Sequence, residues 1–220
     1  MKHLKILVGI SSLVVLTACS SAQEPEDSKS ISLDSEVEEN IERLVLHGNY
    51  EKFENEDELS DRADLIVVAS SSDSFLDREQ FSLYSPAEDD APETLSDVYS
   101  KNKIIIKEIL KPDDNYDLNI GDVLEVIEPV AVVEENDEKQ IISIENYLEM
   151  EEDINYIIYL GLNSYGEYGV INMNNGRFNI DGEDSIVNIE GHGHDNEKEE
   201  HVEFKEQVLE TYDDELEDLD

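Results

Sequence analysis

The sequence has few of the residues that cross-link a fold through disulfides or that bind nucleic acid through positive charge. It has one cysteine, no tryptophan, and 15 basic residues against 57 acidic ones, for a formal net charge of -42. With a single cysteine there is no internal disulfide, so the fold depends on its core alone. The excess of acid argues against partners such as nucleic acid and anionic lipid head groups, because like charges repel.

The single cysteine, Cys19, ends an N-terminal stretch that is typical of a secretory signal. Lys2 and Lys5 form a positive start, and an apolar run follows over residues 6–16. This run is too short for a membrane span of about 20 residues, but it has the length of a signal-peptide apolar region. The segment Leu16-Thr17-Ala18-Cys19 resembles a bacterial lipobox.

The lipobox resemblance implies that residues 1–18 are a lipoprotein signal peptide and are removed. The sulfur of Cys19 would then carry a diacylglyceryl group, and its new amino group is often acylated as well. Each buried CH₂ contributes about 0.8 kcal/mol, so two or three chains (palmitate, for example) hold a protein at a membrane. We therefore expect a protein anchored by lipid to the extracellular face of the cell membrane, with residues 19–36 as a flexible tether.

Residues 37–190 have the pattern of a small β domain. Predicted strands lie at 65–69, 99–110, 123–132, 141–144 and 154–160, and a hairpin covers 168–180 with Asn174-Asn175-Gly176 as its turn. Asn55 and Glu58 predict the cap of one short helix. Short strands without βαβ alternation favour a mainly β fold, a small antiparallel OB-like β-barrel with one or two short helices.

The sequence predicts the structure of the remaining segments less clearly. Residues 37–47 fit either a helix or a strand, and residues 70–98 have the composition of an acidic, solvated insertion. Pro129 predicts an edge or a bulge. Residues 191–220 form a tail rich in His and acid, with helical spacing of apolar residues near its end but no evident core partner.

The order of these elements also resembles a known group. The residues that carry the likeness are the run from Leu59 to Val68, the run Ile106 to Lys111, the run Ile120 to Val126, and the run Tyr156 to Leu160. The chain resembles uncharacterised Gram-positive lipoproteins whose domain is similar to the OB-like barrel of metalloproteinase inhibitors and netrin modules. The likeness covers residues 56–182 or so. Those inhibitors reach zinc through a free amino-terminal cysteine, whereas Cys19 would be lipidated, so their mechanism is not carried over.

The candidate metal ligands lie in the tail: His192, His194, Asp195 and His201. Imidazole and carboxylate groups suit zinc, copper or nickel, although an acidic tail can also carry histidines without binding a metal. Asp113, Asn115 and Asp117 begin like a calcium-binding EF-hand loop, but the later ligand positions do not fit. A turn is the favoured interpretation there, and the general acidity could still collect calcium loosely.

None of the motifs G-x-S-x-G, H-E-x-x-H, G-x-G-x-x-G or the P-loop occurs in the sequence. The leading prediction is therefore a binding or interaction module, not an enzyme, whose ligand is an extracellular protein, a peptide or a wall component. A metal-capturing surface lipoprotein and a hydrolase with an unrecognised site are the alternatives. Tyr156, Tyr159, Tyr165 and Tyr168 could line a sugar- or peptide-binding face, but core packing is the favoured interpretation.

Overall fold

The computed structural model describes residues 41–86, 93–135, 138–188, 195–217 and 219. The fold is mainly β, with 44% of residues in strands and 23% in helices, and it contains a closed five-strand barrel. The predicted fold class is confirmed.

The strands are β1 (Glu42–Leu46), β2 (Leu65–Ser71), β3 (Glu79–Ser85), β4 (Thr94–Lys111), β5 (Val123–Glu128), β6 (Val130–Glu135), β7 (Glu138–Ile144), β8 (Asn155–Leu162), β9 (Tyr168–Val170) and β10 (Arg177–Asn179). The α-helices are α1 (Glu56–Arg62), α2 (Asp195–Thr211) and α3 (Asp213–Leu216), and 3₁₀ turns cover Phe75–Asp77, Met173–Gly176 and Ser185–Asn188.

The barrel closes through β2, β4, β5, β9 and β8, in that order around the ring. Four of the five junctions are antiparallel, as predicted, and the junction between β5 and β9 is parallel. β3 extends the sheet from β4, and β10 extends it from β8. A separate three-stranded sheet has the order β1-β7-β6, with β1 parallel to β7.

The central strand of the fold is β2, and all seven of its residues are buried. Leu65, Val67 and Ala69 belong to the cluster that fills the barrel. Ile66 and Val68 point the other way and pack in a second cluster with Phe204 and Val208 of α2, among others. A strand covered on both faces favours apolar residues on both faces, which explains the continuous apolar run from Leu65 to Ala69.

The start of the domain contains a capped helix, α1, and a strand, β1. Asn55 is the cap of α1, and its Oδ1 accepts a hydrogen bond from the backbone N–H of Glu58 at 3.0 Å, as predicted. The described part of the ambiguous segment, residues 41–47, contains a strand, β1, instead of a helix. Pairing with β7 supplies backbone hydrogen-bond partners that the sequence alone does not reveal.

The described part of segment 70–98 contains a strand, β3, that the sequence did not reveal, although most of the side chains of β3 are exposed. β3 and the first half of β4 form a hairpin arm there. Phe81 and Tyr99 face each other across the two strands and stack with ring centroids 4.7 Å apart. Pro129 lies between β5 and β6, where the chain leaves the barrel sheet for the three-stranded one.

The predicted hairpin over residues 168–180 is wrong. β9 and β10 do not pair with each other; both pair with β8, end to end along one edge. Asn174 and Gly176 lie in the 3₁₀ turn between them. The chain turns there because Asn172 and Met173 both adopt positive φ, which breaks the hairpin path.

The C-terminal segment does have a core partner, contrary to expectation. Phe204, Val208 and Tyr212 are buried against the outer face of the barrel. Hydrophobic spacing in this acidic helix is therefore a packing pattern. Among the described helices, none has both the length and the apolar character needed to cross a membrane.

Candidate functional site

A groove of about 220 Å³ lies on the barrel wall, formed by β4, β5, the loop between them, and the loop from β8 to β9. We call it the barrel groove. Its apolar lining is Tyr116, Leu118, Leu124, Ile127 and Tyr168. Its charged lining is Lys101, Glu125 and Glu167.

Strand alternation places the charged centre of the groove. In β4 the side chains of Ser100 and Asn102 are buried, whereas Tyr99, Lys101 and Lys103 lie on the outer side. The ammonium of Lys101 also lies 5.8 Å from the centroid of the Phe81 ring. Lys101 therefore lies both in the groove lining and beside the Phe81 ring of the hairpin arm.

Lys101 is held between two carboxylates. Its Nζ lies 2.9 Å from Oε1 of Glu167 and 3.0 Å from Oε1 of Glu125. Hydrogen bonds from Lys101 to Glu167 and Glu125 raise the pKa of Lys101, and the same bond from Lys101, together with one from Asn163, lowers the pKa of Glu167. Lys101 and Glu167 therefore both stay charged at neutral pH, which gives the groove a polar centre.

A turn with one buried carboxylate, that of Asp113, supports the aromatic wall. The Tyr168 hydroxyl donates to Oδ2 of Asp113 at 2.7 Å, and Oδ1 of Asp113 accepts from the backbone N–H of Asn115 at 2.8 Å. Hydrogen bonds from the Asn115 backbone and from Tyr168 lower the pKa of Asp113. The segment that begins like an EF-hand is thus a turn, but Asp113 is buried rather than solvated. It fixes Tyr168, against which the ring of Tyr116 packs at 5.5 Å.

The predicted tyrosines divide into two kinds. Tyr156, Tyr159 and Tyr168 are buried, so the packing interpretation is confirmed for them. Tyr165 is 87% exposed, on the loop beside the groove, and Tyr116 is 44% exposed within its lining. Sequence reasoning missed Tyr116, whose only signal is an aromatic residue in a polar turn before a strand.

Of the predicted metal ligands, the structure places only the side chain of His201. It is buried in α2, with Nδ1 2.8 Å from Oδ1 of Asn175 and Nε2 3.2 Å from Oδ2 of Asp184. Its ring stacks on Phe178. Both nitrogens face groups of the protein, so His201 joins α2 to the barrel.

The remaining ligands, His192, His194 and the side chain of Asp195, lie outside the described residues, as do Cys19 and the tether. The metal site and the lipid anchor therefore stay predictions. Within the described ranges, no group of three or more His, Cys, Asp or Glu side chains could hold a metal ion.

The carboxylate of Asp184 forms ion pairs with two basic side chains beneath α2. Lys205 Nζ lies 2.9 Å from its Oδ2, and Arg177 Nη1 lies 3.4 Å from its Oδ1. Burial alone would raise the pKa of Asp184, but hydrogen bonds from His201, Lys205 and the backbone of Asn179 outweigh it and lower the pKa. The charged carboxylate locks the helix onto the strand β10.

Comparisons of the chain with protein-family models, with curated proteins and with solved structures find no significant match. The resemblance to inhibitor and netrin modules stays a prediction. The fold itself defines a mainly β protein with a closed five-strand barrel.

Proposed function

We propose that this chain is a lipid-anchored, cell-surface binding module that holds a carbohydrate chain in the barrel groove. The observation that carries the proposal is the pairing of exposed aromatic rings with a fixed Lys101–Glu125–Glu167 centre on one barrel face. Cys19 supplies the anchor in this proposal, and residues 19–36 supply the reach above the membrane.

The position of the groove on the fold supports a chain-like ligand. OB-type barrels bind oligonucleotides and oligosaccharides on the face of their second and third strands and on the adjoining loops. β4 and β5 are the second and third barrel strands here, and the loop before β9 carries Gly166 and Glu167. The formal charge of -42 disfavours a polyanion, which leaves the oligosaccharide as the better fit.

The chemistry of the lining agrees with a sugar. Sugar rings present apolar C–H faces that pack on aromatic rings such as Tyr116 and Tyr165, and their hydroxyls both donate and accept hydrogen bonds. Glu125 and Glu167 offer acceptors, and Lys101 offers donors. The volume of about 220 Å³ lies below the roughly 300–1,000 Å³ of enclosed ligand pockets. An open groove of this size suits part of a longer chain.

The groove proposal is tested by the double substitution Tyr116→Ala/Tyr165→Ala. We expect affinity for the best-bound hexasaccharide, chosen by calorimetry from neutral and N-acetylated hexasaccharides, to fall at least tenfold, about 1.4 kcal/mol, because stacking surface is lost. Tyr84→Ala removes a tyrosine that is about as exposed as Tyr116 but lies outside the groove lining, and it should leave affinity unchanged. Binding of a basic peptide alone, with no oligosaccharide bound, would contradict the choice of ligand.

The anchor is tested separately by Cys19→Ser. We expect the variant to lose incorporation of labelled fatty acid and to move from the membrane fraction to the medium, because the serine hydroxyl does not replace the thiolate as nucleophile. Ser20→Ala, one residue further on, should keep the label. Labelling that survives in Cys19→Ser would rule out this anchor without affecting the groove.

A further inference from the structure

A second cavity, of about 310 Å³, lies between residues 52–54 and helix α2. We call it the helix cavity. Phe53 and Phe204 supply its apolar lining, and Asn175 lies between the two walls. Its volume falls at the lower end of the roughly 300–1,000 Å³ of small-molecule sites. The cavity shares no lining residue with the barrel groove.

The walls of the helix cavity are fixed by polar contacts beneath them. The side-chain amide of Asn172 pairs with the backbone of Phe53, accepting from its N–H at 3.1 Å and donating to its carbonyl oxygen at 3.2 Å. On the other wall, His201 of α2 contacts Asn175. A cavity whose walls are set before binding loses little free energy in ordering them.

Backbone strain lies directly beside this cavity. Asn172 and Met173 have φ of 60° and 53°, a conformation that non-glycine residues rarely adopt. Strain of this kind costs on the order of 1–3 kcal/mol per residue and persists where surrounding contacts hold it. The turn with these φ values places the Asn172 amide against the backbone of Phe53 and places Asn175 in the cavity lining.

The side chains that line the cavity carry more negative than positive charge. Glu54, Glu200 and Glu203 line it, and Lys52 is the one cation among its described lining residues. Lys52 Nζ lies 3.0 Å from Oε2 of Glu200, which leaves an excess of two negative charges. The cavity therefore favours a cation of a size that fills it.

We propose that the helix cavity binds a small organic ammonium ion. Ammonium ions are attracted to the faces of aromatic rings and to carboxylates together, and the helix cavity offers the half-buried ring of Phe53 and an excess of carboxylate. A bare metal ion fits less well, because no group of three metal-binding side chains occurs within the described ranges. This site is independent of the carbohydrate groove.

The proposal is tested by titrating the full-length chain with tetramethylammonium and with spermidine. Binding is measured by calorimetry at fixed ionic strength. We expect saturable binding of at least one of them, weakened at least tenfold by Glu54→Gln/Glu203→Gln. The control Glu206→Gln/Glu210→Gln makes the same change in charge at exposed positions of α2 outside the cavity lining and should bind like wild type.

Phe53→Leu gives a second readout, because it keeps an apolar side chain and the backbone contact to Asn172 while removing the aromatic face. We expect it to weaken tetramethylammonium binding several-fold. An equal loss in the Glu206/Glu210 control would show diffuse attraction to an acidic protein and would overturn the proposal. So would the absence of saturable binding in a wild-type chain whose thermal unfolding is cooperative.

Discussion

Gly176→Ala is expected to destabilise the fold by more than about 4 kcal/mol, the range reserved for severe defects. A Cβ at this position would overlap the backbone carbonyl oxygen of Ile171 and lie 2.8 Å from its carbonyl carbon. Backbone atoms cannot rotate away as a flexible side chain can. The 3₁₀ turn would have to move, and with it Arg177, which is buried and donates to the carbonyl oxygen of Leu148.

Urea denaturation of the variant measures this effect. Gly182→Ala is the matched control, since a Cβ there meets no atom within 4 Å, and it should change the free energy of unfolding by less than about 0.5 kcal/mol. The two glycines lie six residues apart in the same region, so the comparison isolates the close approach. Similar stability of the two variants would mean that the turn adapts and that the steric argument is wrong.

The parts of the fold that the sequence predicts are those set by local signals. β2 is predicted because its continuous apolar run, Leu65 to Ala69, satisfies burial on both faces. The start of α1 is predicted because Asn55 and Glu58 stand at the spacing of a helix cap. In both cases the residues that form the element also carry the information about it.

The elements that were missed or predicted wrongly depend on partners far along the chain. β3 is polar and rich in serine, and it becomes a strand because Phe81 meets Tyr99 across a hairpin. β9 and β10 look like a hairpin locally, yet β8 offers one long edge to both. For helix α2 the apolar spacing is visible in the sequence, but the barrel face that buries Phe204 and Val208 lies far away along the chain.

The candidate sites are even harder to predict from the sequence than these elements. The barrel groove takes Lys101 from β4, Tyr116 from a turn, Glu125 from β5, and Glu167 from a loop. In a chain with 57 acidic residues, no spacing marks out the two glutamates that hold Lys101. Only the closure of the barrel brings these four segments together.

Glu128 is the centre of a buried polar network that joins the barrel to the hairpin arm. Its Oε2 accepts from Arg78 Nη1 at 2.6 Å and from Asn102 Nδ2 at 2.9 Å. Its Oε1 accepts from the Tyr147 hydroxyl at 2.7 Å and from the Met150 backbone N–H at 2.9 Å. Burial, with the neighbouring Glu128 charge, raises the pKa of Tyr147, which therefore stays a donor.

Glu128→Gln is expected to lower the free energy of unfolding by about 3–5 kcal/mol, because it leaves the Arg78 guanidinium buried without its counter-charge. Arg78→Met should cost a similar amount by leaving the carboxylate unpaired. The double variant should lose clearly less than the two single losses combined, since neither charge is then left alone. Denaturation of all three variants in urea gives the coupling directly.

Lys103→Met is the surface control for this network. Its Nζ lies 3.9 Å from Asp73 and its side chain is half-exposed, so its loss should be below about 0.5 kcal/mol. If Glu128→Gln cost no more than this control, the buried pair would contribute nothing to stability. If the losses at Arg78 and Glu128 were additive, the two groups would act independently and the network would not be one unit. The expected coupling instead means that this buried pair fixes the hairpin arm, with its Phe81–Tyr99 stack, to the barrel.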